Sequence, residues 1–336
     1  MSRPHVCVLG AGVIGLSTAV CIAEKIPGSK VTVVADRFSP ETTSDGSGGF
    51  WEPYKLGDTP QAKIRDWGKA TFEWMENLAS SSAAADTGAF HVSGYQLSTR
   101  KVPPDFWRDI VKGYRDMTPA ELELFPGYRF GRAYTACVLE CRKYLPWLQN
   151  RLMSMGGEVV QKKITSLKQL GSQFDVVVNC AGLGAAELFS DPAVTPVRGQ
   201  LVRVEAPWVK HFVVLTEGQF YILPGSTSVA LGGTTEAGNW DTMPDPDTAR
   251  LILDNCCRLM PSLKGARVIS HWAGLRPGRT SVRLEEEFCL ADGMQVVHNY
   301  GHGGAGVTLH WGCALEVADR VRSLLARMKK IVPSRL

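Results

Sequence analysis

A strand, a glycine turn and a helix open this chain, and that order constrains its fold more than any other feature of the 336 residues. His5–Leu9 reads as a buried strand, Gly10-Ala11-Gly12-Val13-Ile14-Gly15 as a turn, Leu16–Ile26 as a helix and Lys30–Ala35 as a second strand, with Pro27-Gly28 punctuating the helix end. A G-x-G-x-x-G match recurs by chance in turns. Here a strand precedes it and a helix follows it. Asp36 also ends the next strand 21 residues after Gly15, where a carboxylate can accept hydrogen bonds from ribose hydroxyls. The glycines let the backbone turn tightly and bring the helix N-terminus onto a pyrophosphate, whose charge the amide dipoles stabilise. A Rossmann-like dinucleotide site follows, without a choice between flavin and nicotinamide.

After Pro40 the chain is rich in Thr, Ser, Gly and Pro to about Pro60, as in a long, ordered, site-forming loop. Gln61–Ala79 has a helical pattern, with Ile64, Trp67, Phe72 and Met75 near one face, and Ser80–Gly88 reads as a surface loop. Phe90–Leu97 reads as a strand, Thr118–Phe125 as a capped helix, Cys141–Met155 as a helix and Glu158–Ile164 as a strand. The apolar run Phe174–Cys180 is of the kind buried on both faces of a parallel sheet. Several strands between Pro196 and Gly233 are separated by loops, which predicts an antiparallel sheet. The chain then returns to a strand at Met294–His298, a glycine turn and a helix at His310–Met328. The expected fold is therefore α/β. A Rossmann-like cofactor domain, discontinuous over 1–52, 145–190 and 265–336, interleaves with a mainly antiparallel-sheet substrate domain over 53–144 and 191–264.

Composition narrows the partners. A net charge of +4 from 37 basic and 33 acidic residues is too balanced to favour nucleic acid or an anionic membrane, and no run of about 18 apolar residues suggests a membrane span. Hydrophobic residues make up 44% of the chain, enough for a sizeable core. Nine cysteines without C-x-x-C or zinc spacing fit a reducing compartment, and the histidines show no metal-ligand spacing, so no metal is expected. Met1–Leu9 carries no signal peptide, whereas Ser334-Arg335-Leu336 is a variant of the Ser-Lys-Leu peroxisomal address.

Several stretches resemble the D-amino-acid oxidase and D-aspartate oxidase family: Val13–Cys21, Ala35–Phe38, Thr42–Asp45, Trp51-Glu52-Pro53-Tyr54, Ser93-Gly94-Tyr95 and Tyr144-Leu145. Val197-Arg198-Gly199-Gln200, Ala206-Pro207-Trp208, Gly274-Leu275-Arg276-Pro277 and His298–Gly312 resemble it in the same order. The resemblance covers essentially the whole chain, and the last motif is the most specific.

It implies non-covalent FAD, with Gly10, Ala11, Gly12, Val13, Ile14 and Gly15 at the pyrophosphate and Asp36 at the ribose. Arg37 and the Thr42-Thr43-Ser44 turn would lie beside the adenosine and pyrophosphate, Gly48, Gly49 and Phe50 near the isoalloxazine, and the Ile164 backbone at the adenine. The segment Gly303, Gly304, Ala305, Gly306, Val307 and Thr308 would lie against the flavin's carbonyl edge. Arg276, counted among the cofactor contacts too, would pair bidentately with the substrate α-carboxylate. Tyr221 would add its hydroxyl, and the Gly304 carbonyl would accept from the α-amine. With carboxylate and amine pinned, the α-hydrogen leaves as hydride without a general acid or base. Dioxygen would then yield hydrogen peroxide, and the imino acid would hydrolyse to a 2-oxo acid and ammonia. The implied partners are a small D-amino acid, dioxygen and the peroxisomal import receptor; a homodimer is left open.

The family's aspartate branch is expected to place arginines where this chain has Val214 and Thr235, and an apolar residue where it has Glu52. An ionised Glu52 about 4 Å from a second substrate carboxylate would repel it by about 4 kcal/mol at an effective dielectric near 20. Neutral D-amino acids, with basic ones also accepted, are therefore expected over D-aspartate, unless Lys55 neutralises Glu52 or its side chain points away. The short Phe212–Tyr221 segment is instead like the aspartate branch. Two rival readings are a nicotinamide-dependent dehydrogenase, which would not require the C-terminal glycine motif, and a silent flavin-binding scaffold, which would not require Arg276 and Tyr221 together.

Overall fold

The computed structural model describes residues 3–289 and 293–331. In chain order its elements are β1 (His5–Leu9), α1 (Val13–Lys25), β2 (Lys30–Ala35), α2 (Gln61–Ala79), α3 (Ala84–Thr87), β3 (Ala89–Ser98), β4 (Lys112–Asp116), α4 (Pro119–Leu122), β5 (Phe130–Leu139), α5 (Cys141–Ser154), β6 (Glu158–Gln161) and β7 (Val176–Asn179). They continue with α6 (Ala185–Leu188), β8 (Thr195–Glu205), β9 (Phe212–Leu215), β10 (Tyr221–Pro224), β11 (Val229–Gly232), β12 (Glu236–Ala237), α7 (Pro246–Leu259), β13 (Arg267–Gly278), β14 (Arg283–Cys289), β15 (Met294–Tyr300) and α8 (Gly306–Ile331).

Two sheets organise the molecule. The first runs β14-β15-β7-β1-β2-β6, and every pairing except β14 with β15 is parallel. Alternation along its strands sends side chains to opposite faces. Val6 and Val8 join a core with α1, α5 and α8, while Cys7 and Leu9 join Val34, Val177, Val296, Leu167 and Leu170 on the other face. With both faces covered, these strands read as continuous apolar runs. Strand order reverses between β1 and β7, and the crevice at the carboxyl ends of such a switch point is where an open parallel sheet binds its ligand.

The second sheet, of nine strands, runs β12-β8-β11-β10-β9-β3-β5-β4, with β13 along β8. It is antiparallel except for β3 with β9. Val202, Val204, Ile222 and Leu231 pack with Ala249, Ile252 and Cys256 of α7. β13, which the sequence boundary at 265 groups with the cofactor-domain pieces, pairs with β8 from Arg267 to Gly278. The sequence reading places no strand over this stretch; its pairing along β8 appears only in the structure.

Other elements depart in detail from the sequence reading. The loop expected over Ser80–Gly88 contains α3, and the final helix begins at Gly306 instead of His310. Strand pairing ends at Gln161, short of Ile164. The tripeptide Ser334-Arg335-Leu336 lies outside the described residues.

Candidate active site: an elongated cavity between the two sheets

A cavity of about 650 Å³ runs from the carboxyl ends of β1 and β7 to the face of the second sheet. At its first end lie Gly10–Ile14, Asp36, Arg37 and Thr42–Ser44. Gly10 has φ +103°, and a Cβ there would strike the Cys180 carbonyl oxygen, so the turn joining β1 to α1 needs glycine. Gly12 caps α1 with no side-chain hydrogen bond to the helix. The Val13 amide donates to Ser44 Oγ at 3.0 Å, which ties the helix end to the loop beyond β2. That loop is built around buried Asp45, which accepts from Ser39 Oγ and Thr42 Oγ1 at 2.6 Å each and from the Thr42 amide at 3.0 Å. Asp36 and Arg37 are exposed at the rim.

Midway, the wall is glycine-rich backbone: Gly48, Gly49 and Phe50 on one side, Gly301, Gly303, Gly304, Gly306 and Val307 on the other. Gly303 has φ +52° and sits against the Lys55 carbonyl. Thr308 joins the two sides, its hydroxyl donating to the Glu52 carbonyl oxygen at 2.8 Å and accepting from the Glu52 amide at 3.1 Å. Behind this wall Trp74 Nε1 donates to the Tyr144 hydroxyl at 2.7 Å, and that hydroxyl bonds His310 Nε2 at 3.1 Å. His310 Nδ1 lies 2.6 Å from the Val307 carbonyl oxygen, the arrangement of a neutral ring with its proton on Nδ1. Burial pushes His310 down to about 4 and His302, with His310 beside it, down to about 3.

The far end is formed by the second sheet. Arg276 Nη1 donates to the Thr234 carbonyl oxygen at 3.1 Å and, more weakly, to that of Arg198 at 3.4 Å, while none of the described residues accepts from Nη2. The guanidinium lies flat against Gly199, where any side chain would occupy its place. Tyr221 sits close enough to feel the Arg276 charge, although burial is the larger effect and raises its phenol. Gly199 backs the guanidinium and Gly232 the Tyr221 ring, leaving one donor edge and one hydroxyl for a carboxylate.

Most of the residues singled out from sequence line this cavity. Gly15, Ile164, Thr235, Ala305 and Thr308 do not. Gly15 packs on the Gly10 carbonyl beneath the turn, Ile164 on the Leu167–Leu170 cluster, and the Thr235 hydroxyl on the Tyr54 hydroxyl at 3.1 Å. Glu52 and Val214 do line it. Glu52 forms no ion pair with Lys55, whose Nζ lies 5.6 Å from the Tyr54 ring centroid instead. Burial, with Asp105 nearby, pushes the Glu52 carboxyl up to about 7.

The long shape, the helix N-terminus at Gly12, the close backbone walls and the buried atoms Asn299 Oδ1 and His302 Nε2, both without a protein partner on cavity-lining residues, fit a bound flavin dinucleotide. Residues 5–320 match the family model described as FAD dependent oxidoreductase. The chain belongs to this family. Its cofactor is FAD. The oxidoreductase is 45% identical to the D-aspartate oxidase of Homo sapiens over 99% of each chain. It is 46% identical to the D-amino-acid oxidase of Rubrobacter xylanophilus over 93% of this chain and 94% of that one. Its fold is that of the glycine oxidase from Geobacillus kaustophilus, with a TM-score of 0.80, 21% identity and coverage of 95% and 94%.

Gln96, Asp105 and Trp107 are among the lining residues of the oxidoreductase that sequence reasoning missed. Asp105 follows Pro103-Pro104 in a loop and has no local motif. Only the tertiary fold brings it beside Glu52. By contrast, α7 was legible in principle, because Asp245 accepts from the Thr248 amide at 2.7 Å just before Pro246, a start signal written in the sequence.

Proposed function

We propose that this oxidoreductase catalyses oxidative deamination of D-amino acids with uncharged or basic side chains, converting D-amino acid, dioxygen and water into 2-oxo acid, ammonia and hydrogen peroxide. Bound FAD supplies the two-electron acceptor. The chain's own residues bind and orient the substrate: Arg276 and Tyr221 take the α-carboxylate, and the Gly304 carbonyl accepts from the α-amine. Three fixed points about one carbon distinguish its configurations, and positioning of this kind contributes most of the rate. The burial of the site excludes water from the reacting centre.

The observation that carries the choice of side chain is charge. Among the residues lining the cavity the permanent cations are Arg37, at the Asp36 rim, and Arg276, while Glu52 and Asp105 both stand toward the substrate end. Among the described residues a second substrate carboxylate would find no lining cation there besides Arg276, which the α-carboxylate occupies, and an ionised Glu52 at about 4 Å would repel it by about 4 kcal/mol at an effective dielectric near 20. A second reading, oxidation of acidic D-amino acids, is favoured by the 45% identity to a D-aspartate oxidase. Peroxide release from the purified yellow protein, measured with D-alanine, D-methionine, D-lysine, D-aspartate and D-glutamate, separates the two. kcat/KM should be higher for the neutral substrates than for D-aspartate, and Glu52→Gln should narrow that gap by improving the acidic ones. A preference for D-aspartate in the unaltered enzyme would establish the second reading.

The peroxisomal matrix is the proposed location, supported by the Ser334-Arg335-Leu336 ending and by the peroxide such a reaction releases. Deleting those three residues should leave activity intact and release a tagged protein to the cytosol. Unchanged punctate fluorescence would refute it.

A further inference from the structure

The substrate end of the cavity carries an acceptor surplus that a neutral side chain does not use. Glu52 and Asp105 line it together, and none of the described residues donates a hydrogen bond to the Glu52 carboxyl. Asp105 Oδ2 accepts from the Tyr114 hydroxyl at 2.9 Å. The Gln96 side chain also bonds this carboxylate, and the nearby Arg132 offsets part of its charge while being shared: it pairs with Asp116, and it donates to the Tyr114 hydroxyl at 3.2 Å and to the Val102 carbonyl oxygen at 3.3 Å.

Gln96 is a separate observation. In register, Gln96 of β3 stands opposite Val214 of β9, and Val214 opposite Tyr221 of β10. Residues paired across adjacent strands put their side chains on one face, so this row runs from the α-carboxylate site past the side-chain pocket to Gln96. Gln96 is only 8% exposed, lines the cavity beside Asp105, and leaves its Oε1 without a hydrogen-bond partner. A buried carbonyl oxygen without a donor is costly unless something supplies one.

We infer that Glu52, Asp105 and the Gln96 amide oxygen form a receptor for a cationic side chain, so that D-arginine and D-lysine are preferred over uncharged substrates of the same length. The inference rests on the D-amino-acid oxidase reading and goes beyond it. A guanidinium or ammonium brings several N–H donors and a positive charge to three acceptors, two of them acidic, whereas Arg276 and Tyr221 hold the α-carboxylate at the other end of the row. The same acceptors disfavour a carboxylate and leave a methyl terminus without gain.

The test uses the FAD-loaded enzyme at pH 8 and compares isosteric pairs by peroxide release: D-arginine against D-citrulline, and D-lysine against D-norleucine. The charged member should have a kcat/KM at least tenfold higher. In Glu52→Gln, and separately in Asp105→Asn, the ratio within each pair should fall to within about threefold of one, with flavin colour retained. D-citrulline used as well as D-arginine, or a ratio unchanged in both variants, would overturn the receptor while leaving the oxidase intact. Absence of peroxide with every D-amino acid, D-alanine included, would overturn the oxidase reading itself.

Discussion

At the scale of single residues, the site works by holding a few groups where no alternative conformation is available. Arg276 is held by the Thr234 carbonyl oxygen and by Gly199, which gives its free edge one orientation. Replacing it with leucine should leave a folded, yellow protein, because its backbone pairing in β13 does not depend on the guanidinium. The lost carboxylate partner should cost about 2–5 kcal/mol in kcat/KM, roughly thirtyfold to several thousandfold. Steady-state kinetics retaining more than about a tenth of the original kcat/KM would show that Arg276 does not meet the substrate. Gly12 makes the matching case for the cofactor. A Cβ there would already sit 3.2 Å from Ser44 Oγ, and a leucine side chain would extend further into the cavity. Gly12→Leu should therefore purify colourless, and stoichiometric flavin absorption in that variant would contradict the placement. Gly12 was legible in a local motif, and Arg276 through the family resemblance of Gly274-Leu275-Arg276-Pro277. Asp105 and Gln96 were not, because a lone carboxylate or amide becomes chemistry only through its neighbours.

At the scale of elements, α1 and α8 both direct their N-terminal turns at the cavity, and each is held by polar contacts from elsewhere. For α8 the holding chain is Trp74, Tyr144, His310 and the Val307 carbonyl, which links α2, α5 and α8. Tyr144→Phe removes the bond to His310 Nε2 and the acceptor of Trp74, leaving one buried and one half-buried group unpaired. The expected loss is about 1–3 kcal/mol for each such group at most, read as a lower urea midpoint with an unchanged slope. An unchanged midpoint would mean the chain of bonds contributes nothing. The elements themselves were largely readable. β1, β2 and α2 fall where periodicity and punctuation put them, because their signals are local. The start of α8 was misplaced by one turn, because glycines at 303, 304 and 306 look like loop when the packing that sustains a helix is out of view.

At the scale of the whole molecule, buried titratable groups should make stability depend on pH in two opposing ways. His302 and His310 have ordinary values of 6.5 that burial lowers to about 3 and about 4, so below 6.5 the unfolded chain takes up protons before the folded one. Their contribution is lost as pH falls from about 6.5 toward 4. Glu52 acts in reverse: raised from 4.5 to about 7, it binds its proton in the folded state first and favours folding as pH falls through that window. Two histidines against one carboxyl predict a falling melting temperature between pH 6.5 and 4, steeper in Glu52→Gln than in the unaltered protein. A flat profile in both would contradict the burial of the histidines. The sequence by itself marked the dinucleotide-binding turn, since the strand, glycine turn and helix that form it are written within thirty residues. Through the family resemblance it also singled out Arg276 and Tyr221, the groups proposed to meet an amino acid's carboxylate. Only the tertiary structure decided which sheet takes β13, and that Glu52, Gln96 and Asp105 share one cavity. Strand pairing and charge proximity are set by contacts between residues far apart in the chain, and no local pattern records the distance between two side chains that the fold alone brings together.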